Sequence, residues 1–199
     1  MKSEKTWLVA ALVIILAVLV VVFFQSGARE VIRKSPPLPA VGASAGEPGA
    51  PPVPEAKPTR KVSVFFVRPA DGLLAPEERE IPASDSLIQE AEAFLAELLK
   101  GPAGDLAPVL PAETKLGRVY VTKDGTIYVD FSRELAEKHP SGTAAEISTV
   151  YAVVDGLAYN FKAVKKVFIL VDGEERETLA GHIALDRPFS PDYSFLAKK

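Results

Sequence analysis

Hydrophobic and polar positions divide the chain into three stretches of different rhythm. Residues 7–24, from Trp7 to Phe24, run without a charge, a Gly or a Pro. Eighteen helical residues at 1.5 Å each span roughly 27 Å, close to the hydrocarbon thickness of a bilayer. The pattern therefore predicts one transmembrane helix within an N-terminal anchor, residues 1–28. Residues 29–58 lose the rhythm altogether. Pro36, Pro37, Pro39, Pro48, Pro51, Pro52, Pro54 and Pro58 alternate with Ala, Gly and Ser. Such a linker buries too little apolar surface to offset its ordering entropy, and its prolines favour polyproline II. At about 3.1 Å per residue its proline-rich part, residues 35–58, would reach at most roughly 75 Å. From residue 59 to 199 the pattern is that of a folded domain.

Within that domain, residues 61–68 are β-branched and aromatic on both faces and read as a central strand ended by Pro69. A loop through Asp71-Gly72 leads to a short extended piece at 78–81. Leu87, Ala91, Phe94, Leu95 and Leu98 then share one helical face, with Ser84 to Ser86 as start signals and Gly101-Pro102 as the stop. Pro108 and Pro111 bracket Val109-Leu110 in a loop. Residues 116–122 and 126–131 form a hairpin around Lys123-Asp124-Gly125. Thr143-Ala-Ala-Glu146 has capping-box spacing and opens a second helix along Ile147, Val150, Tyr151, Val154, Leu157, Ala158 and Phe161. Gly156 interrupts it at a cost of about 1 kcal/mol against Ala, which close packing on the sheet would explain. Residues 164–171 read as another central strand, and 181–188 as an edge segment. The expected architecture is α+β: a β-α-β-β-α-β order folded as one mixed sheet with two helices on one face. A ferredoxin-like split βαβ arrangement obeys that order.

Composition changes the picture at two points. The chain has no Cys, so disulfides, thiolate chemistry, Cys-based zinc sites and a lipid-modified cysteine are all excluded. Residues 59–199 hold 17 Lys and Arg against 22 Asp and Glu, a net of −5, which gives no global attraction to nucleic acid. Lys2 and Lys5 favour a cytoplasmic N-terminus, whereas Arg29, Arg33 and Lys34 oppose it. A long C-terminal domain translocates regardless, so the expected topology is single-pass with the domain extracytoplasmic. Ser26 and Ala28 would also suit a cut after Ala28, but the apolar run exceeds the roughly 7–15 residues of a signal peptide, and the length favours an anchor.

Several stretches together resemble a known family. They are Asp71-Gly72-Leu73, Pro76-Glu-Glu-Arg-Glu-Ile-Pro82, Leu98-Leu-Lys-Gly-Pro102 and Leu110-Pro-Ala-Glu-Thr-Lys-Leu116. Tyr128-Val-Asp-Phe-Ser132, Val167-Phe-Ile-Leu-Val-Asp-Gly173 and Gly181-His-Ile-Ala-Leu-Asp-Arg-Pro188 complete the set. In this order, from Val62 to about Ser190, they resemble the GerMN domain of sporulation and germination proteins. The resemblance implies an extracytoplasmic, membrane-attached module with no established catalytic site or cofactor. Many members are lipoproteins, and this chain departs from them by lacking the anchoring Cys.

Candidate chemistry is sparse. His182 has neither a second His nor a Cys nearby in sequence, so it reads as a structural or surface residue rather than a metal ligand. His139 lies in a loop. Ser132, Ser141 and Ser148 lack a nucleophile elbow. Asp130 and Glu134 could form a carboxylate pair for glycan cleavage, but strand alternation sends Asp130 to solvent or to the cap of the turn after its strand. Asp155 reads as a charge on an exposed helix face, and Lys165-Lys166 as too small a patch for nucleic acid. The expectation is no catalytic, cofactor-binding or metal residue, and no enzyme. The function expected is a membrane-anchored binding and assembly module of the cell envelope, with other envelope proteins as partners. The alternative is a peptidoglycan-binding or wall-modifying enzyme that would use Asp130, Glu134 or His182.

Overall fold

The computed structural model describes residues 58–198. The predicted transmembrane helix and nearly all of the proline-rich linker lie outside those residues. Among the described residues no helix is long and apolar enough to cross a membrane.

The domain is α+β, and its strands form two sheets rather than one. Strands β1 (Thr59–Val67) and β2 (Leu74–Pro82) pair antiparallel along their whole length. Strand β3 (Leu116–Val121) pairs antiparallel with β4 (Thr126–Phe131), and β4 pairs parallel with β5 (Lys166–Val171). Helix α1 (Leu87–Leu99) follows β2, and the short α2 (Glu134–Glu137) follows β4. Helix α3 (Thr143–Asn160) precedes β5, and a 3-10 turn, Tyr193–Phe195, lies near the C-terminus. Helix α1 packs on β1, β2 and β3, and α3 on β1 and β5. Each long helix therefore touches both sheets, where the sequence pattern had them on one face of a single sheet.

The full-length β2 corrects the short extended piece expected at 78–81. Its sequence hides it: among Glu77, Glu78, Arg79 and Glu80 only partial burial occurs, and the apolar ends Leu74 and Ile81 carry the packing. The charges are accommodated by α1. Arg79 pairs with Glu77, lies 3.9 Å from Glu97 and donates to the Gly101 carbonyl at 3.0 Å, where helical carbonyls have no partner of their own.

Strand β1 is also less central than its apolar residues suggest. Its second edge is covered instead by Asn160, the last residue of α3. The Asn160 carboxamide accepts from Ser63 N at 2.9 Å and donates to Ser63 O at 2.8 Å, imitating a neighbouring strand for one residue. In the other sheet β4, not β5, is central, because β5 is flanked on its far side only by a bridge at Phe189. The expected tail segment thus pairs with β5 just past Pro188.

Helix α1 forms as the pattern predicts. Ser86 caps it by accepting from Gln89 N, and Ala91, Phe94, Leu95 and Leu98 are buried. The hairpin also forms, with Gly125 at φ +86° in a turn that a side chain would strain. The capping box does not. Gly142 is the N-cap of α3, with no side-chain hydrogen bond, and Glu146 is committed elsewhere. Helix α3 is buried without interruption from Ala152 to Leu157, so more than one face is covered. The second cover is a strap. Residues 189–197 run from a bridge with Val167 of β5, across α3, to a bridge with Leu74 of β2. Phe195 stacks on Tyr151 of α3 with ring centres 4.4 Å apart.

Gly156 permits the closest approach in the core, and its neighbour is a helix rather than the sheet. A Cβ there would stand 2.5 Å from Cζ of the buried Phe94 of α1. Gly156→Ala gains about 1 kcal/mol of helix propensity but forces an overpacking cost of typically 1–3 kcal/mol. We expect net destabilisation of up to about 2 kcal/mol, read as a lower denaturant midpoint at unchanged m-value. A midpoint equal to or above that of the parent would show that Phe94 moves aside freely.

Candidate functional site

Glu146 lies in the first turn of α3 and is 0% exposed. An ionised carboxylate is buried this deeply only when its lone pairs are met. Here Oε2 accepts from the backbone N–H of Ala180 (3.2 Å), His182 (3.2 Å) and Ile183 (2.8 Å), and Oε1 lies 2.7 Å from His182 Nδ1. Burial alone would push the carboxyl up, but the Ile183 N–H, the His182 ring and the remaining N–H donors outweigh it and hold Glu146 below its usual range. The His182 side chain is 42% exposed, so it is a histidine fixed from behind and open in front. The carboxylate–histidine pairing resembles the orientation device of catalytic and metal-bound imidazoles. Yet among the described residues no nucleophile hydrogen-bonds to His182. Among the described residues no group of three or more His, Asp or Glu is placed to hold a metal ion.

Asp155 corrects the expectation of a solvent-facing charge. It is 0% exposed, because the strap covers its face of the helix. Its Oδ1 accepts from Asp192 N at 2.8 Å, and its Oδ2 is buried without a partner. Burial pushes its pKa up to about 6; the Asp192 N–H opposes that rise and the Asp192 charge adds to it. This is a latch between α3 and the strap.

The remaining candidates are each taken up structurally. Asp130 does cap a turn, though not the one after its own strand: its Oδ1 accepts from Gly173 N at 2.8 Å, in the turn that follows β5. Glu134 begins α2, where the Ser132 hydroxyl holds its carboxyl below the usual range. No hydrogen bond or ion pair joins Asp130, Glu134 and His182 among the described residues. His139 has its ring nitrogens 2.7 Å from the Pro140 carbonyl and from Thr149 Oγ1, and Thr149 donates to the Val109 carbonyl. These contacts form one wall of an apolar groove of about 460 Å³ at the start of α3, lined chiefly by Val109, Leu110, Pro111, Pro140 and Ala144. Ser148 lines the groove without a base beside it. The groove is suited to enclosing an apolar side chain and holds no activated nucleophile.

Sequence reading found His182 but missed Glu146 as its partner, since the two are 36 positions apart. The one available signal was the Gly181-His182 pair itself: a tight loop with exposed backbone N–H groups needs an acceptor, and a helix carboxylate supplies it.

Two sheets bridged by two helices, with titratable side chains spent on loops and straps, define a small α+β domain. A family model described as sporulation and spore germination, Germane, matches residues 63–177, and the chain belongs to that family. Three solved structures are similar to it. A candidate lipoprotein from Clostridium perfringens is 24% identical over 66% of this chain and 87% of that one, with a TM-score of 0.49. The first GerMN domain of the sporulation protein GerM from Bacillus subtilis is 26% identical over 67% of this chain and 95% of that one, with a TM-score of 0.48. The tandem GerMN domains of the same protein are 26% identical, with a TM-score of 0.48; 68% of this chain is covered and 46% of that one, so the match spans under half of the tandem pair. No curated protein matches the chain.

Proposed function

We propose that the chain is a non-catalytic binding and assembly module of the cell envelope, held on the membrane by residues 7–24 with its domain outside. The observation that carries this reading is the uncharged apolar run followed by a proline-rich spacer and then a domain of the sporulation and germination family. The domain's own chemistry supports it. Glu146, Asp155, Asp130 and Glu134 each commit at least one carboxylate oxygen to a backbone N–H group or a neighbouring hydroxyl, which ties all four to the fold. Partners would be other envelope proteins. Incubation with purified peptidoglycan is expected to release no fragments; released muropeptides would replace this reading with a wall-modifying enzyme.

Anchoring is tested by mass. Carbonate-washed membranes should retain the protein at the whole-chain 21.3 kDa. Recovery of a chain beginning at Arg29 from the soluble fraction would overturn the anchor.

A further inference from the structure

The outer face of the three-stranded sheet carries a row of aromatics set apart from the main core cluster. Alternation sends Ile127, Val129 and Phe131 of β4, with Val167, Ile169 and Val171 of β5, into the core. The residues between them face the other way. Tyr120 of β3 stands opposite Tyr128 of β4, and Tyr128 stands opposite Phe168 of β5, so the three occupy one cross-strand row. The Tyr128 and Phe168 rings stack with centres 5.2 Å apart. Phe168 is only 5% exposed yet lies apart from the main core cluster, and Tyr120 at the end of the row is 47% exposed. The row is a supported platform with one ring open to solvent. Arg118 donates to the Tyr120 hydroxyl at 3.4 Å, which fixes that ring further.

Charge around the row is uneven: Asp130 shares the outer face with Tyr128 at the end near Arg118, and the other end is basic. Residues 59–199 are net acidic at −5, but the near end of this sheet is basic. Lys165 N and Lys166 N both donate to the Gly125 carbonyl, at 2.8 and 3.4 Å, so the loop before β5 lies against the hairpin tip that bears Lys123. Lys123, Lys162, Lys165 and Lys166 are all exposed there, and none forms an ion pair among the described residues. Lys166 shares the outer face two residues before Phe168, while Arg118 flanks Tyr120 on the other side. Lysines at one end of an aromatic row that bears tyrosyl hydroxyls complement a ligand that combines apolar ring faces, hydroxyls and negative charge.

We infer that this sheet face, centred on Tyr120, Tyr128 and Lys166, binds an anionic polysaccharide whose sugar rings lie against the open tyrosine and whose carboxylates meet the lysines. A bare polyanion would find the lysines here but have no use for the ring. The inference stands apart from the anchor, since it concerns only residues of the folded domain.

The test uses the full chain in detergent micelles, with binding followed by calorimetry at about 0.15 M salt, where exposed charges more than roughly 8 Å apart are screened. Three probes are compared: polygalacturonate, uncharged dextran and polyphosphate. Polygalacturonate should bind, dextran should not, and polyphosphate should bind more weakly. Tyr120→Ala and Lys166→Ala should each weaken polygalacturonate binding about tenfold, the scale of one lost charge-assisted or stacking contact. Lys100→Ala, on α1, should leave it unchanged. Tyr120 is half exposed, and an unchanged melting temperature for its variant would confirm that the fold is intact. No polygalacturonate binding, equal binding of dextran, or polyphosphate binding that matches polygalacturonate and ignores Tyr120→Ala would each overturn the proposal.

Discussion

Glu146→Ala should cost about 3–5 kcal/mol, the largest single loss in the domain. Three backbone N–H groups and the His182 ring would lose their common buried acceptor in a part-buried place, and each buried unsatisfied donor costs about 1–3 kcal/mol. Partial relaxation of the 180–183 loop keeps the total below the sum. Against a domain stability of about 5–15 kcal/mol, much of the folded population could be lost at growth temperature. Chemical denaturation of Glu146→Ala and His182→Ala separates the two halves of the pair. His182→Ala leaves the three backbone bonds in place and should cost only about 1 kcal/mol. If the two variants cost the same, the carboxylate is there for the histidine and not for the loop. The pH dependence has a definite sign. Glu146 is held below its usual range, so its contribution is present above the ordinary carboxylate pKa and is lost as pH falls through the lowered folded value.

Asp155→Asn should act in the opposite direction. A carboxyl raised from 3.8 to about 6 binds a proton more tightly in the folded state than in the unfolded one. Its favourable contribution is therefore complete below 3.8 and is lost as pH rises through about 6. Ionising it inside the fold costs about 3 kcal/mol by the same difference. Asn keeps the oxygen that accepts from Asp192 N and removes the buried charge. It also introduces an NH2 group where Oδ2 has no partner, which returns part of the gain. The expected net effect at pH 7.5 is a stabilisation of about 1–2 kcal/mol, shrinking to nothing near pH 4.5. Thermal melts of both proteins at the two pH values check this: the curves should differ by a few degrees at pH 7.5 and converge in acid. Parallel curves across that range would mean that Asp155 is solvated when ionised.

These two residues also show where the sequence stops being legible. Helix α1, the hairpin and the cores of β1 and β5 follow from local rules, because their periodicity, caps and turn residues all agree. Glu146 satisfies a local rule, the capping box, and the structure overrules it: a loop 34–37 residues downstream offers three N–H donors and a histidine against one at the cap. Asp155 fails for the same kind of reason. Helical period places it outward, and only the strap, 37 residues on, turns that face inward. Strand β2 was shortened by its charges, whose partners, Glu97 and the end of α1, are likewise remote. Local order was legible; which side chains meet across the fold was not. The aromatic row is an intermediate case, since alternation marks Tyr128 as outward but strand pairing is needed to line it up with Tyr120 and Phe168.

The proposal that the domain works outside the membrane by holding another protein is tested most directly by one cross-linking measurement. A membrane-impermeant, amine-reactive reagent is added to intact, wall-stripped cells, and the chain is then recovered under denaturing conditions. Exposed lysines such as Lys123 and Lys166 make it reactive wherever the reagent can reach. The account predicts a covalent adduct with a second envelope protein, formed before lysis. A chain that stays unmodified until the cells are broken, or that is modified from outside yet never joined to another protein, would contradict it.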